Sequence, residues 1–387
     1  MDRVKLVYQE LLRPSILLLY LGFFVSGGLT VLPGVVLPWI AHSFHLNDSQ
    51  SGTLLLVLFA GSSLGAVCVR RRFRLTLSVG YLLVPAAGVL LALSPYRLGL
   101  LAIGIYGLGL GMSMTSASML VGRIFPQRRG AALSFLNFCW SLGATLCPLL
   151  IARVGNHLSF AALGITIALI TAPFIVVAFL SRFEAPRGVL HKAHSAHTAL
   201  LLIVLFGLAC FLYVGIENIV GGWLTTFALR TVAWSYQRST LTTAAFWAAL
   251  LAGRGLAPIV LVYVQELWLL RLSVAGLLAG LVLLVFAQNG LMLVCAACLT
   301  GLSLASIYPL LLSLFLARAG ESKHSGWVFM LAGAGGAVLP WLTGVVSTGD
   351  HSLRMGLVVA LGAALLLALL VVQKKITGSG AKVESAL

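Results

Sequence analysis

Twelve apolar runs follow one another along this chain with only short polar breaks, and few folds can accommodate that pattern. About 20 apolar residues are needed to cross roughly 30 Å of hydrocarbon. Inside lipid the backbone must satisfy its own polar groups, as helices or as a closed barrel, and runs of this length read as helices. Their approximate cores are 15–41, 51–69, 75–93, 98–121, 131–152, 160–181, 200–227, 239–262, 269–287, 291–317, 326–347 and 353–372. Of 387 residues, 60% are hydrophobic and 9% charged, where soluble domains carry about 25% charge. This is the composition of a polytopic, all-helical membrane protein in contact with the bilayer.

The net charge of +16 does not imply nucleic acid as a partner, because the basic residues sit in short clusters between apolar runs. They read instead as topology signals, since lysine and arginine accumulate in cytoplasmic loops. With the N-terminus inside, 20 of the 25 Lys and Arg residues fall on the inner side, including Arg72, Arg74, Arg123 and Arg254. Arg97, Arg153, Arg230, Arg238 and Arg354 remain outside. Both termini are therefore expected in the cytoplasm, with the protein in the cytoplasmic membrane. The basic start, 1–13, leads into a span too long for a signal peptide and is read as uncleaved.

The longest inner connection, 182–198, is polar and divides six spans from six. It reads as a cytoplasmic linker between a half at 1–181 and a half at 199–387, the second ending in a short cytoplasmic tail. His191, His194 and His197 recur in it at three-residue spacing; that suits a solvated linker better than a metal face. The six cysteines all lie in apolar runs, where they behave as small hydrophobes. No metal site or cofactor is expected.

The halves echo one another at a separation of 192 to 195 residues: Gly143 and Pro148 recur as Gly335 and Pro340, Gly107-Leu108-Gly109-Leu110 as Gly301-Leu302-Ser303-Leu304, and Gly22 and Gly28 as Gly215 and Gly221. In that register Phe24 stands opposite Glu217. Duplicated halves with a site between them are the plan of many secondary transporters. The glycines of the fourth and eleventh spans read as close-packing faces.

Of nine acidic residues, eight lie at the ends of apolar runs or between them, and Glu217 alone lies well inside one. An ionised group at that depth costs about 2.5–3.5 kcal/mol on insertion scales and by default faces a partner or a water path. Burial disfavours its charged form unless a cation approaches. The other reading is a protonated Glu217 hydrogen-bonded to a neighbouring helix. Asn218 lies about 100° around the helix, so only one of the two is expected to face a central cavity. Arg254 is the other charge that falls within a span. It is expected either to snorkel to the headgroups or to serve at an inner gate.

Two six-span halves, the basic Arg70-Arg71-Arg72-Phe73-Arg74 loop and Gly61-x-x-x-Gly65 before it resemble the major facilitator superfamily. The run from Phe211 to Trp223 is similar to the seventh span of fucose-permease-like sugar symporters and their hexose-transporting relatives. So are Phe246-Trp247 through Gly253-Arg254, Gly34-x-x-x-Pro38, Ser306-x-x-Pro309 and Ser325-Gly326 through Leu339-Pro340-Trp341. Two features depart from the pattern: the loop after the second span has no aspartate, and the first span has no acidic residue, with Asn47 and Asp48 beyond its end.

The resemblance implies alternating access and uptake of a small polar solute, a monosaccharide such as a hexose, by a transporter rather than an enzyme. Sugar recognition uses amides and carboxylates against hydroxyls and aromatic faces against the ring. Asn137, Trp140, Glu217, Asn218, Trp223, Tyr308 and Trp327 offer those groups. Glu217 is the candidate for coupling to a proton, with sodium as the other ion to consider, and Arg254 is the gating candidate. The same fold also serves proton-driven exporters of drugs or amphipathic metabolites and uncoupled facilitators. A monomer is expected.

Overall fold

The structure, a computed structural model, describes residues 14–69, 72–125, 129–154, 157, 159–180, 199–319, 326–350 and 352–373. Among these residues there are twelve helices: α1 (Pro14–Phe44), α2 (Asp48–Cys68), α3 (Phe73–Leu93), α4 (Pro95–Ile124), α5 (Arg129–Val154), α6 (Phe160–Leu180), α7 (Ala199–Thr231), α8 (Tyr236–Tyr263), α9 (Glu266–Val285), α10 (Gly290–Ala319), α11 (Gly326–Gly349) and α12 (Leu353–Val372). Eleven are long and apolar enough to cross a membrane, and α6 supplies the shorter apolar stretch Phe160–Val176. The linker 182–198 with its three histidines, and the chain beyond 373, lie outside the described residues.

The packing repeats itself. α1 packs on α5, α2 and α3 on α4, and α3 on α6; in the same way α7 packs on α11, α8 and α9 on α10, and α9 on α12. The two six-helix halves meet chiefly through α2 on α11, α5 on α8, and α1 on α7. The glycine faces read from sequence make this packing: Gly107 and Gly111 lie against the backbone of Ser62 in α2, and Gly109 against Gly80 of α3.

The register of the repeat differs from the one expected for the first and seventh spans. Gly28 of α1 faces the carbonyl of Gly143, with 3.3 Å between that oxygen and a Cβ built on the glycine, and Gly215 of α7 faces that of Gly335 at 3.0 Å. Gly28 thus corresponds to Gly215, not to Gly221. The following loops agree, because each turns through a left-handed residue, His45 with φ 53° and Ala233 with φ 51°. Each then enters its helix through a capping residue, Asn47 or Ser235. The position opposite Glu217 is accordingly Thr30 rather than Phe24. The six-residue spacing of Gly22 and Gly28 recurs as Gly215 and Gly221, so sequence alone pairs them one step out.

Prolines interrupt several helices, and α7 contains none. Pro33 leaves the carbonyl of Leu29, four residues earlier, without its helical donor. The Tyr106 hydroxyl of α4 donates to that carbonyl at 2.7 Å. In lipid such a group has no water to turn to, so the proline in α1 and the tyrosine in α4 belong together.

Candidate substrate site

Glu217 is buried halfway along α7, and its Oε1 lies 3.4 Å from Nη2 of Arg254 on α8. The other guanidinium arm, Nη1, donates to Oγ of Ser141 on α5 at 2.6 Å. Arg254 therefore does not snorkel; 17% of its side chain is exposed, and it ties the carboxylate of one half to a hydroxyl of the other. Its charge compensates Glu217, so the carboxylate can stay ionised at a depth where an isolated one would be costly.

Aromatic rings wall this pair. Arg254 lies over Trp140 at 5.7 Å from the ring centroid, and Trp140 meets Trp247 of α8 edge-on at 5.4 Å. Tyr213, one turn before Glu217, stacks on Tyr308 of α10 at 5.4 Å. The Tyr213 hydroxyl lies beside both charges. The buried indole N–H groups of Trp140 and Trp247 have no acceptor among the described residues. One turn from Ser141, Asn137 is exposed, and its amide donates only to the Leu133 carbonyl within its own helix.

Five of the residues picked out in the sequence, Asn137, Trp140, Glu217, Arg254 and Tyr308, thus gather at one level where the halves meet. Three do not join them. Trp223 is fully buried and donates to the Pro340 carbonyl at 3.0 Å, so in this conformation it packs α7 on α11. Trp327 is on the first turn of α11 and 54% exposed. Asn218 turns to the other side of α7, toward Gly336 and into a narrow gap lined also by Thr30, Gly34, Phe59 and Trp247. Of Glu217 and Asn218, it is the carboxylate that points into the aromatic cluster.

Sequence reading missed Ser141, Tyr213 and Trp247 as members of the site. Tyr213 and Glu217 stand four residues apart and hence on one helical face, which was a usable signal. Nothing marks Ser141 among the many serines of the spans. Among the described residues no group of three or more His, Cys, Asp or Glu side chains could hold a metal ion.

Two pseudo-symmetric six-helix halves with a charged, aromatic-walled site between them define a multi-pass membrane transporter of the alternating-access type. The chain belongs to the Major Facilitator Superfamily, whose profile it matches over residues 19–326. It is 24% identical over 313 residues to the mouse sodium-dependent glucose transporter 1A, covering 70% of this chain and 73% of the relative. It is also 24% identical over 360 residues to a Brucella abortus glucose/galactose transporter, covering 85% and 86%. Among solved structures it resembles a D-xylose-proton symporter with TM-score 0.76 and 16% identity, over 93% of this chain and 97% of that one. It resembles the transporter FucP in its outward conformation with TM-score 0.66 and 18% identity, over 93% and 99%.

Proposed function

We propose that this protein takes up a monosaccharide, a hexose in the first instance, across the cytoplasmic membrane by alternating access, with both termini in the cytoplasm and coupling to protons through Glu217. The observation that carries the reading is the Glu217–Arg254–Ser141 bridge, which links an ionisable group, through Arg254, to the other half at the centre of the molecule. The sugar assignment draws on the aromatic walls, on Asn137 and Glu217 as hydroxyl partners, and on relatives named as glucose, galactose and xylose transporters. Those names divide between sodium and proton as the coupling ion, so the ion is assigned here from the chemistry of Glu217.

Ionised, Glu217 only accepts hydrogen bonds and holds Arg254; protonated, it also donates one and loosens its hold on the arginine. Proton arrival would free Arg254 to turn toward a sugar oxygen or wholly toward Ser141 in the other half. Proton and sugar then bind with linked affinities, and the linkage is reciprocal. The protein acts as a monomer in the bilayer in this scheme, because the complete site lies within one chain.

Purified protein in proteoliposomes tests the proposal, with labelled glucose, galactose, xylose and fucose offered under a pH gradient, a sodium gradient or none. The expected result is saturable uptake of at least one sugar, driven uphill by inward-directed protons. Sodium-driven accumulation would transfer the coupling role to that ion, and gradient-independent equilibration would make the protein a facilitator. No saturable uptake or exchange of any sugar, together with pH-driven movement of amphipathic dyes, would replace the reading by an exporter.

A further inference from the structure

The hydrogen bonds and ion pairs that join α1, α2 and α5 to α7, α8 and α11 among the described residues fall chiefly at two levels. One is the Glu217 site. The other is the end of the bundle where α1 turns into α2, about 20 Å from Glu217 at 1.5 Å per helical residue. Asp48 there receives a two-pronged ion pair from Arg230, Nη1 to Oδ2 and Nη2 to Oδ1, both at 2.8 Å. Ser347 of α11 donates to the same carboxylate. Beside it the Ser49 amide donates to Thr348 Oγ1 at 2.8 Å, and a Cβ on Gly52 would lie 3.1 Å from Cα of Trp341. Between the two levels the Tyr236 hydroxyl donates to the Val35 carbonyl at 3.0 Å, and a Cβ on Gly34 would lie 2.7 Å from Cα of Gly222.

Each charged partner is at home on its own helix. Asp48 is in the first turn of α2, where the helix dipole favours an anion, and Arg230 is in the last turn of α7, where it favours a cation. Arg230 is 46% exposed on its side chain against 10% for Asp48, so water can reach the pair from one side. Charges placed this way lose little when the ends part, because each keeps its helix end and gains water. That is what a contact made and broken in every cycle requires.

We propose that Asp48, Arg230 and Ser347 form a reversible latch that holds shut the path at their end of the molecule. Releasing it shifts the protein toward the state open at that end. The proposal rests on the alternating-access reading above and assigns positioning roles to three residues that do not touch the Glu217 site. It also gives a function to Asp48, which no expectation from sequence singled out.

The test measures a distance rather than transport. Spin labels go on cysteines at His42 and Arg238, both exposed at this end on opposite halves, in protein whose six native cysteines are replaced by alanine. Without substrate, the parent should give one short distance. Asp48→Asn and Arg230→Gln should each add a longer distance and raise its population about tenfold, the shift produced by about 1.4 kcal/mol. Ser347→Ala should move it less in the same direction, and it keeps the test open if the charge variants fold poorly. The exchanged pair Asp48→Arg with Arg230→Asp puts each charge at the unfavourable helix end, so it should restore the short distance only in part, and partial recovery is more than a packing role alone would give. Unchanged distances in the single variants overturn the latch. Labelled-sugar exchange is measured on the same preparations: shifting distances with no sugar moved leave the latch standing and remove the sugar reading, whereas transport with static distances removes the latch alone.

Discussion

Glu217 and Arg254 stabilise each other more than either stabilises the fold, and variants separate the two effects. Removing a single partner from a buried ion pair typically costs about 3–5 kcal/mol, because the remaining charge is left uncompensated. Arg254→Gln should therefore lower the thermal midpoint of the purified protein clearly. Adding Glu217→Gln to it should recover much of the loss, and equal melting of the single and double variants would show that the pair carries no coupling. In transport, Glu217→Gln should abolish accumulation driven by a pH gradient while exchange of labelled for unlabelled sugar persists with weaker binding. Uphill accumulation by that variant would remove Glu217 from the coupling role.

The periphery of the site divides in the same manner. Asn137 is exposed and bonds only within its own helix, so Asn137→Ala should weaken sugar binding with the melting temperature nearly unchanged. Trp223 is fully buried on Pro340, so Trp223→Ala should cost about 3–5 kcal/mol of stability, as truncation of a buried aromatic does. Sequence could find Glu217 because a lone carboxylate inside an apolar run stands out. It could not separate Trp140 from Trp223, since both are tryptophans within spans, and only packing shows which one borders the charge.

At the scale of helices, the chain spelled out its twelve elements because lipid permits so little else: each apolar run became one helix, with ends a few residues from those expected. The correspondence of the halves was legible at Gly143 and Gly335, and the structure shows why both are glycine: each admits another backbone, that of α1 and that of α7. It was misread where glycine spacing repeats within one helix, and contacts across helices were needed to set Thr30 opposite Glu217. A methyl group at either glycine would collide with a backbone carbonyl, Phe24 for Gly143 and Phe211 for Gly335. Overpacking of this kind costs about 1–3 kcal/mol. Gly143→Ala and Gly335→Ala should both destabilise the protein in thermal unfolding, while Gly362→Ala, with nothing within 4 Å, should be neutral. Equal melting of all three would mean that the helices do not meet as described.

For the molecule as a whole, the direction of everything above depends on which end of the bundle faces out. The helices alone do not carry that information, because their contacts with one another are the same whichever end faces out. It resides in the charges, 20 of 25 basic residues assigned to one side, and cations near a span are retained on the cytoplasmic side. In the orientation proposed above, the latch end is the outer one. Single cysteines in the cysteine-free background test this in intact cells with an impermeant thiol reagent. Gln288, exposed in a loop, and Arg238, exposed in the first turn of α8, both at the latch end, should be labelled from outside, whereas Arg72, exposed before α3 at the other end, should react only after the membrane is permeabilised. The opposite pattern would invert the protein. The latch would then close the cytoplasmic path, and uptake would have to be measured as efflux. Labelling of all three positions from outside would instead break the alternation of spans on which both orientations depend.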